Sequence, residues 1–165
     1  MITFSQLVAE SPESLGPPAQ WEWKINTDTA STAKFDVEAD TFLTYEVYFA
    51  REYHDPHIGV NNWHLAFSPI PSSVAHFADA RGMRRGEIDP FGMLELAPGL
   101  AKIVLATVAD IVKDFIKKKA PQEILFGGTG RGRQAVYRRL MRYVEGAIPG
   151  YRGLTIGWTF KIVKV

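Results

Sequence analysis

Two hydrophobic periods divide this chain. In its first third the apolar residues fall at every second position: Trp21, Trp23 and Ile25 alternate with Glu22, Lys24 and Asn26, the pattern of a strand with one face buried. The segment 27–32 breaks that pattern. Residues 34–53 then carry Phe35 and Val37, a turn near Ala39 and Asp40, and Leu43, Tyr45, Val47 and Phe49 alternating with Thr44, Glu46 and Tyr48. Two strands joined by a tight turn account for this. A loop at 54–59 leads to Trp63, Leu65 and Phe67, a further strand, and the whole reads as an antiparallel meander.

The period changes in the second half. Leu100, Ile103, Val104, Val108, Ile111, Val112 and Phe115 recur at helical spacing and form one apolar stripe, which requires a sheet to cover it. Pro121 ends that helix. The short apolar run 123–126 reads as a buried strand, 127–133 as a glycine-rich turn, and Val136, Tyr137, Leu140, Met141 and Val144 as a second helical stripe. Between meander and helix, 69–90 is a long loop with a helical turn at 73–80 and the basic cluster Arg81, Arg84 and Arg85, and 91–96 reads as a short strand. After a turn at 149–153, Leu154, Ile156, Trp158, Phe160 and Ile162 alternate as one closing strand. A strand, helix, strand crossover between 92 and 126 makes those two strands parallel. The expectation is therefore an α/β (α+β) fold in one domain, 1–165, with an N-terminal arm at 1–20. Its mixed, mostly antiparallel sheet has six or seven strands, and two main helices near 100–118 and 133–146 pack on it.

Composition narrows the chemistry. There is no cysteine among the 165 residues, so thiol catalysis, disulfides and thiolate metal sites are excluded. The N-terminus has no leader-like pattern and no apolar run reaches the ~20 residues of a membrane span, so a cytoplasmic protein with no membrane partner is expected. The net charge of +1 hides an acidic 1–60 (about −7) and a basic 61–165 (about +8). The basic half offers a face to an anion, or the two halves compensate each other.

Each candidate motif has a plainer reading. Gly127, Gly132, Arg133 and Gln134 lie between strand and helix like a phosphate-binding loop, but lack its Lys and Ser or Thr. What remains is a turn into a helix whose first amides, with Arg131 and Arg133, form an anion site. His54, Asp55 and His57 read as a solvated loop, and no metal site is expected. Glu46 and His64 fall on polar strand faces, where a general base would sit if a cleft opened there. Arg138, Arg139 and Arg142 with 117–119 form a basic surface for nucleic acid, or a solvated helix face.

The order of elements, with Gly99, Leu100 and Ala101 opening the central helix, a tyrosine in the following helix, and Gly150-Tyr151 before the final strand, resembles the GNAT family of N-acetyltransferases. Leu96 and Pro98 depart from that family's turn, which has Arg or Gln three residues before the glycine. The resemblance implies acetyl-coenzyme A as cofactor, its pyrophosphate at the amides of Gly99, Leu100 and Ala101. Tyr137 or Tyr143 occupies the position of the family's tyrosine, Tyr137 being the first candidate for the general acid, with Glu46 or Glu95 the base. The runs 121–126 and 133–140 are also similar to small proteins of tailed bacteriophages. That likeness implies a viral scaffold whose partner is a host or virion protein and which works in a host cell or a virion. The expected function is thus an acetyltransferase-like scaffold acting as an interaction or virion-associated protein. An acyl-coenzyme A dependent N-acyltransferase is the first alternative, and a nucleic-acid-binding protein the second.

Overall fold

The computed structural model describes residues 16–38, 42–52, 61–80, 98–127 and 131–165. The strands are β1 (Trp21–Asn26), β2 (Ala30–Glu38), β3 (Phe42–Arg51), β4 (Asn62–Pro69), β5 (Glu123–Gly127), β6 (Tyr151–Ile156) and β7 (Thr159–Lys164). The helices are α1 (Pro71–Ala80), α2 (Pro98–Lys119) and α3 (Arg131–Ala147). The seven described strands join one sheet in the order β1-β2-β3-β4-β5-β7-β6, and among them only β4 and β5 run parallel. The expected class and the two main helices are therefore observed.

Alternation builds one apolar face. Phe35, Val37, Leu43, Tyr45, Val47, Phe49, Trp63, Leu65, Phe67, Ile124, Phe126, Phe160 and Ile162 are all buried, and the helices pack on them. Phe115 of α2 stacks on Phe49 with ring centroids 3.9 Å apart and meets Trp63 edge-on at 5.0 Å. The expected α2 stripe is buried except at Ile103, and Ala101, Leu105, Ala106, Ala109 and Ile116 are buried with it.

The meander adds a clamp on α2. Trp21 and Trp23 each donate an indole N–H at 2.8 Å, to Asp110 and Asp114 respectively. These carboxylates lie one helical turn apart, so two successive inward positions of β1 meet two successive positions of α2. A bulge between Trp23 and Ile25 shifts the β1 register, and Ile25, expected beside the tryptophans, is half exposed. The break expected at 27–32 is shorter in fact: β2 starts at Ala30, with Ser31 and Thr32 buried.

Three other expectations change. The helical turn at 73–80 is a full helix, α1, from Pro71. The strand expected at 91–96 lies outside the described residues, and the parallel partner of β5 is β4. The single closing strand is a hairpin, because Ile156 pairs with Thr159 across a turn at Gly157 and Trp158, with Gly157 at φ +60°. That turn defeats the alternation. Leu154 pairs with Lys161 and Gly153 with Ile162, so the even positions of β6 share a face with the odd positions of β7. Gly153 therefore faces α3, where a Cβ would come within 2.5 Å of the Met141 methyl.

Val108 is fully buried at the middle of α2. Val108→Asp should abolish cooperative unfolding, since it places an unpaired carboxylate in the core. A melting temperature equal to the parent's would refute the packing described. Asp114 gives a pH test. Burial acts to raise its pKa, but the Trp23 hydrogen bond and Lys118 outweigh that and hold it below the ordinary value. A depressed folded pKa means that the stabilisation is complete above the unfolded value and is lost as pH falls through the folded one. Acid unfolding curves should therefore be shallower for Asp114→Asn than for the parent across that acid window.

Candidate functional site

The parallel pair is where the sheet opens. β4 and β5 pair at Asn62 with Glu123, Trp63 with Ile124 and His64 with Leu125, and no further. Beyond that point β4 stays bonded to β3 as far as Pro69, opposite Tyr45, and β5 stays bonded to β7 as far as Gly127, opposite Thr159. The sheet thus splits into two halves that diverge toward the carboxyl ends of β4 and β5. On the helix side the ring of Tyr137 lies across the split, edge-on to Phe67 of β4 at 5.7 Å and to Phe126 of β5 at 5.0 Å.

Both long helices begin at this end. The carboxyl end of α2 is fixed at the start of β4, where Asn61 Nδ2 donates to the Lys119 carbonyl at 2.8 Å and the Gln122 amide donates to the Asn61 carbonyl at 2.8 Å. Its 22 residues then run about 33 Å back along the strands, so its first turn lies at their carboxyl ends. α3 begins four residues after Gly127 closes β5. Both helices therefore present the positive end of their dipole toward this end of the sheet. The hydroxyl of Tyr45, opposite Pro69 at the same end, is buried with no hydrogen-bond partner among the described residues, and burial pushes its pKa up.

On the face away from the helices the split opens into a cleft of about 560 Å³. Tyr48 of β3, His64 and Ala66 of β4, Leu125 of β5 and Trp158 of the hairpin turn line it. Trp158 is 66% exposed and Tyr48 43%. The turn is pressed against the end of β5, since a Cβ on Gly127 would lie 3.0 Å from the Trp158 carbonyl oxygen. His64 Nε2 is 3.5 Å from Glu52 Oε1. Another depression of about 560 Å³, over Trp21, Lys34, Phe35 and Thr44, has its polar groups engaged with one another. There Lys34 lies 3.6 Å from Glu46, and the Thr44 hydroxyl donates to Asp36 at 2.6 Å. With its polar groups so engaged, it is the weaker candidate, and the split in the sheet is the stronger site.

The expected site residues separate into groups. Gly99, Leu100 and Ala101 fall in the first turn of α2 rather than in a loop, because Pro98 is the first helical residue, a position where its missing N–H is no loss. Tyr137 is 2% exposed and belongs to the helix side of the split. Glu46 is on the cleft face, one alternate position from Tyr48, and pairs with Lys34. Glu95 lies outside the described residues, as do the side chains of Arg131 and Arg133, the loop 128–130, the basic cluster at 81–85 and the 54–57 loop. The basic surface loses a member: Arg139 is 1% exposed. Lys118 bridges to Asp114 at 2.9 Å and Lys119 donates to the Thr27 carbonyl at 3.0 Å.

Sequence reasoning gave Trp158 core or rim packing in a closing strand and passed over Glu52 and Tyr48 as site residues. Gly157 was the available signal, as a turn residue that splits the last alternating run. No described helix is long and apolar enough to cross a membrane. Compared with protein-family models, with curated proteins and with solved structures, the chain matches none.

Tyr45→Phe removes a buried hydroxyl that bonds nothing among the described residues. The free protein should be unchanged or stabilised by up to about 1 kcal/mol, measured by urea denaturation. A loss above that amount would mean that the hydroxyl has a partner.

Proposed function

We propose that this chain is an acyl-coenzyme A dependent N-acyltransferase. One observation carries the reading: the only parallel pair among the described strands parts after three residue pairs, at the end where α2 and α3 begin. A crevice outside the carboxyl ends of parallel strands is where α/β sheets hold ligands, and first-turn amides suit an anionic group. The residues fit acetyl-coenzyme A in kind. The amides of Gly99, Leu100 and Ala101 would face its pyrophosphate, with glycine allowing close backbone approach. The arm carrying the thioester would pass between β4 and β5, where strand pairing has ceased. Tyr137, lying across Phe67 and Phe126, is then placed to give a proton to the departing thiolate, and the acceptor enters from the open face.

A second reading has its own observation. Phe67, Phe126 and Phe160 surround the Tyr137 ring, and such an enclosed side chain suits a scaffold that binds without catalysing. An interaction or virion-associated protein of bacteriophage type, recognising a host or virion protein, is that alternative.

Coenzyme A at about 100 times its dissociation constant should stabilise the fold by roughly 2.7 kcal/mol, a rise of roughly 5 to 10 °C in melting temperature for a domain of this size. Gly99→Glu should abolish the rise, and Tyr137→Phe should keep it while slowing transfer. No thermal shift and no calorimetric heat with the parent would remove the transferase reading and favour the scaffold.

A further inference from the structure

Two rings stand on the cleft where packing would have hidden them. Strand register sets Tyr48 between Thr32 of β2 and Ala66 of β4, and neither of these small side chains covers the phenol ring, which stays 43% exposed. Trp158, 66% exposed, is raised onto the same face by the turn that carries it. Gly157 supplies the positive φ of that turn, and Gly127 lets the turn backbone lie against the end of β5, since a Cβ there would lie 3.0 Å from the Trp158 carbonyl oxygen. Two glycines thus hold an indole in water, and an indole left in water forgoes the burial free energy it would otherwise contribute. Exposed rings that line one cleft are a recognition surface more readily than a packing accident.

The lining selects the ligand. Ala66 and Leu125 lie between the two rings, with His64 beside them, so the floor offers mostly methyl groups. None of the described residues that line the cleft is Asp, Glu, Lys or Arg. Charged side chains at the neighbouring positions are engaged with each other, Lys34 with Glu46 at 3.6 Å and Lys161, opposite Leu125, with Glu123 at 2.9 Å. A fully charged group in the cleft would shed water without a carboxylate, ammonium or guanidinium of the lining to replace it. A flat uncharged ring meets what the walls supply, because aromatic rings gain from edge-to-face and offset contact beyond the apolar area they cover.

We infer that the cleft between Tyr48 and Trp158 is a site for an uncharged aromatic ring, which, resting on the transferase reading above, is the ring of an arylamine acceptor. An arylamine is uncharged at neutral pH, because its nitrogen lone pair is shared with the ring, and it needs no base to free it for attack. Its nitrogen forms the C–N bond to the thioester carbonyl carbon, the C–S bond breaks, and the one proton that leaves nitrogen ends on the thiolate. The products are an anilide and a thiol.

The test follows the indole N–H signals of the full chain by NMR, that of Trp158 being the one lost in Trp158→Leu. Benzyl alcohol and cyclohexylmethanol, both uncharged and of similar size, are titrated beside aniline and benzylammonium. Benzyl alcohol should shift the Trp158 signal with an affinity about three- to tenfold above that of cyclohexylmethanol, and aniline should bind more tightly than benzylammonium. Ala66→Ile, which fills the floor at an exposed strand position, and Tyr48→Leu should each weaken aryl binding at least about threefold. The melting temperature of each variant reports that it is folded. Equal affinity for the aromatic and the saturated alcohol, benzylammonium bound as tightly as aniline, or unchanged affinity in the folded variants overturns the inference. So does a sedimenting dimer that Ala66→Ile dissociates, since a second copy then occupies the face. Coenzyme A binding is measured beside these titrations. Coenzyme A bound without ring preference overturns the ring site alone, whereas ring binding without coenzyme A supports the site and removes the transferase reading. Both bound, with no acetanilide formed from aniline and acetyl-coenzyme A, overturns the acceptor assignment.

Discussion

Parallel pairing of β4 with β5 is the constraint on which the rest of the structure depends. Parallel neighbours cannot be joined by a tight turn, so the chain must return to the start of the sheet between them. The longest described element of that return is α2, a helix with 22 residues and enough apolar surface that it is stable only when covered. Its burial forces every strand beneath it to turn bulky residues toward one side. The stacked Phe49 and Phe115 and the Trp21 and Trp23 bonds to Asp110 and Asp114 are the two places where this cover is fastened. Without β1, the aspartates of α2 would lose their indole donors and part of the helix would face water.

The same constraint produces the opening. Strands β1 to β4 form one continuous antiparallel block, and β5, β7 and β6 form another. Each block is internally bonded to its ends, whereas three residue pairs tie the two together. Strand twist is satisfied within each block and need not be shared across the junction, and the Tyr137 ring fills the helix side of the gap. A split there costs few hydrogen bonds, and it falls where the helix dipoles converge. On the other face, Asp36, Tyr48, His64, Ala66 and Ser68 remain exposed. Ion pairs such as Lys34 with Glu46 contribute little to stability at that degree of exposure, so this face carries little of the packing.

The sequence by itself determined the two-layer class, the buried stripe of α2, the chain reversal at Pro121 and most strand positions. These follow from local period, and local period survives into the fold because each face of each element meets a single environment. The sequence also carried the first turn of α2 and Tyr137 as site candidates, and both lie at the split. Tertiary structure decided three matters that period cannot encode. It chose β4 as the parallel partner of β5, because pairing joins residues sixty positions apart. It divided the last alternating run into β6 and β7, since a two-residue turn leaves the apolar spacing intact while exchanging the faces, and so moved Trp158 from the core to the cleft. Finally, it brought Glu52, His64 and Tyr48 together from adjacent strands and buried Arg139, which the sequence groups with the surface cations Arg138 and Arg142. Which polar side chains become neighbours depends on strand register, a property of pairs of segments that no single segment contains.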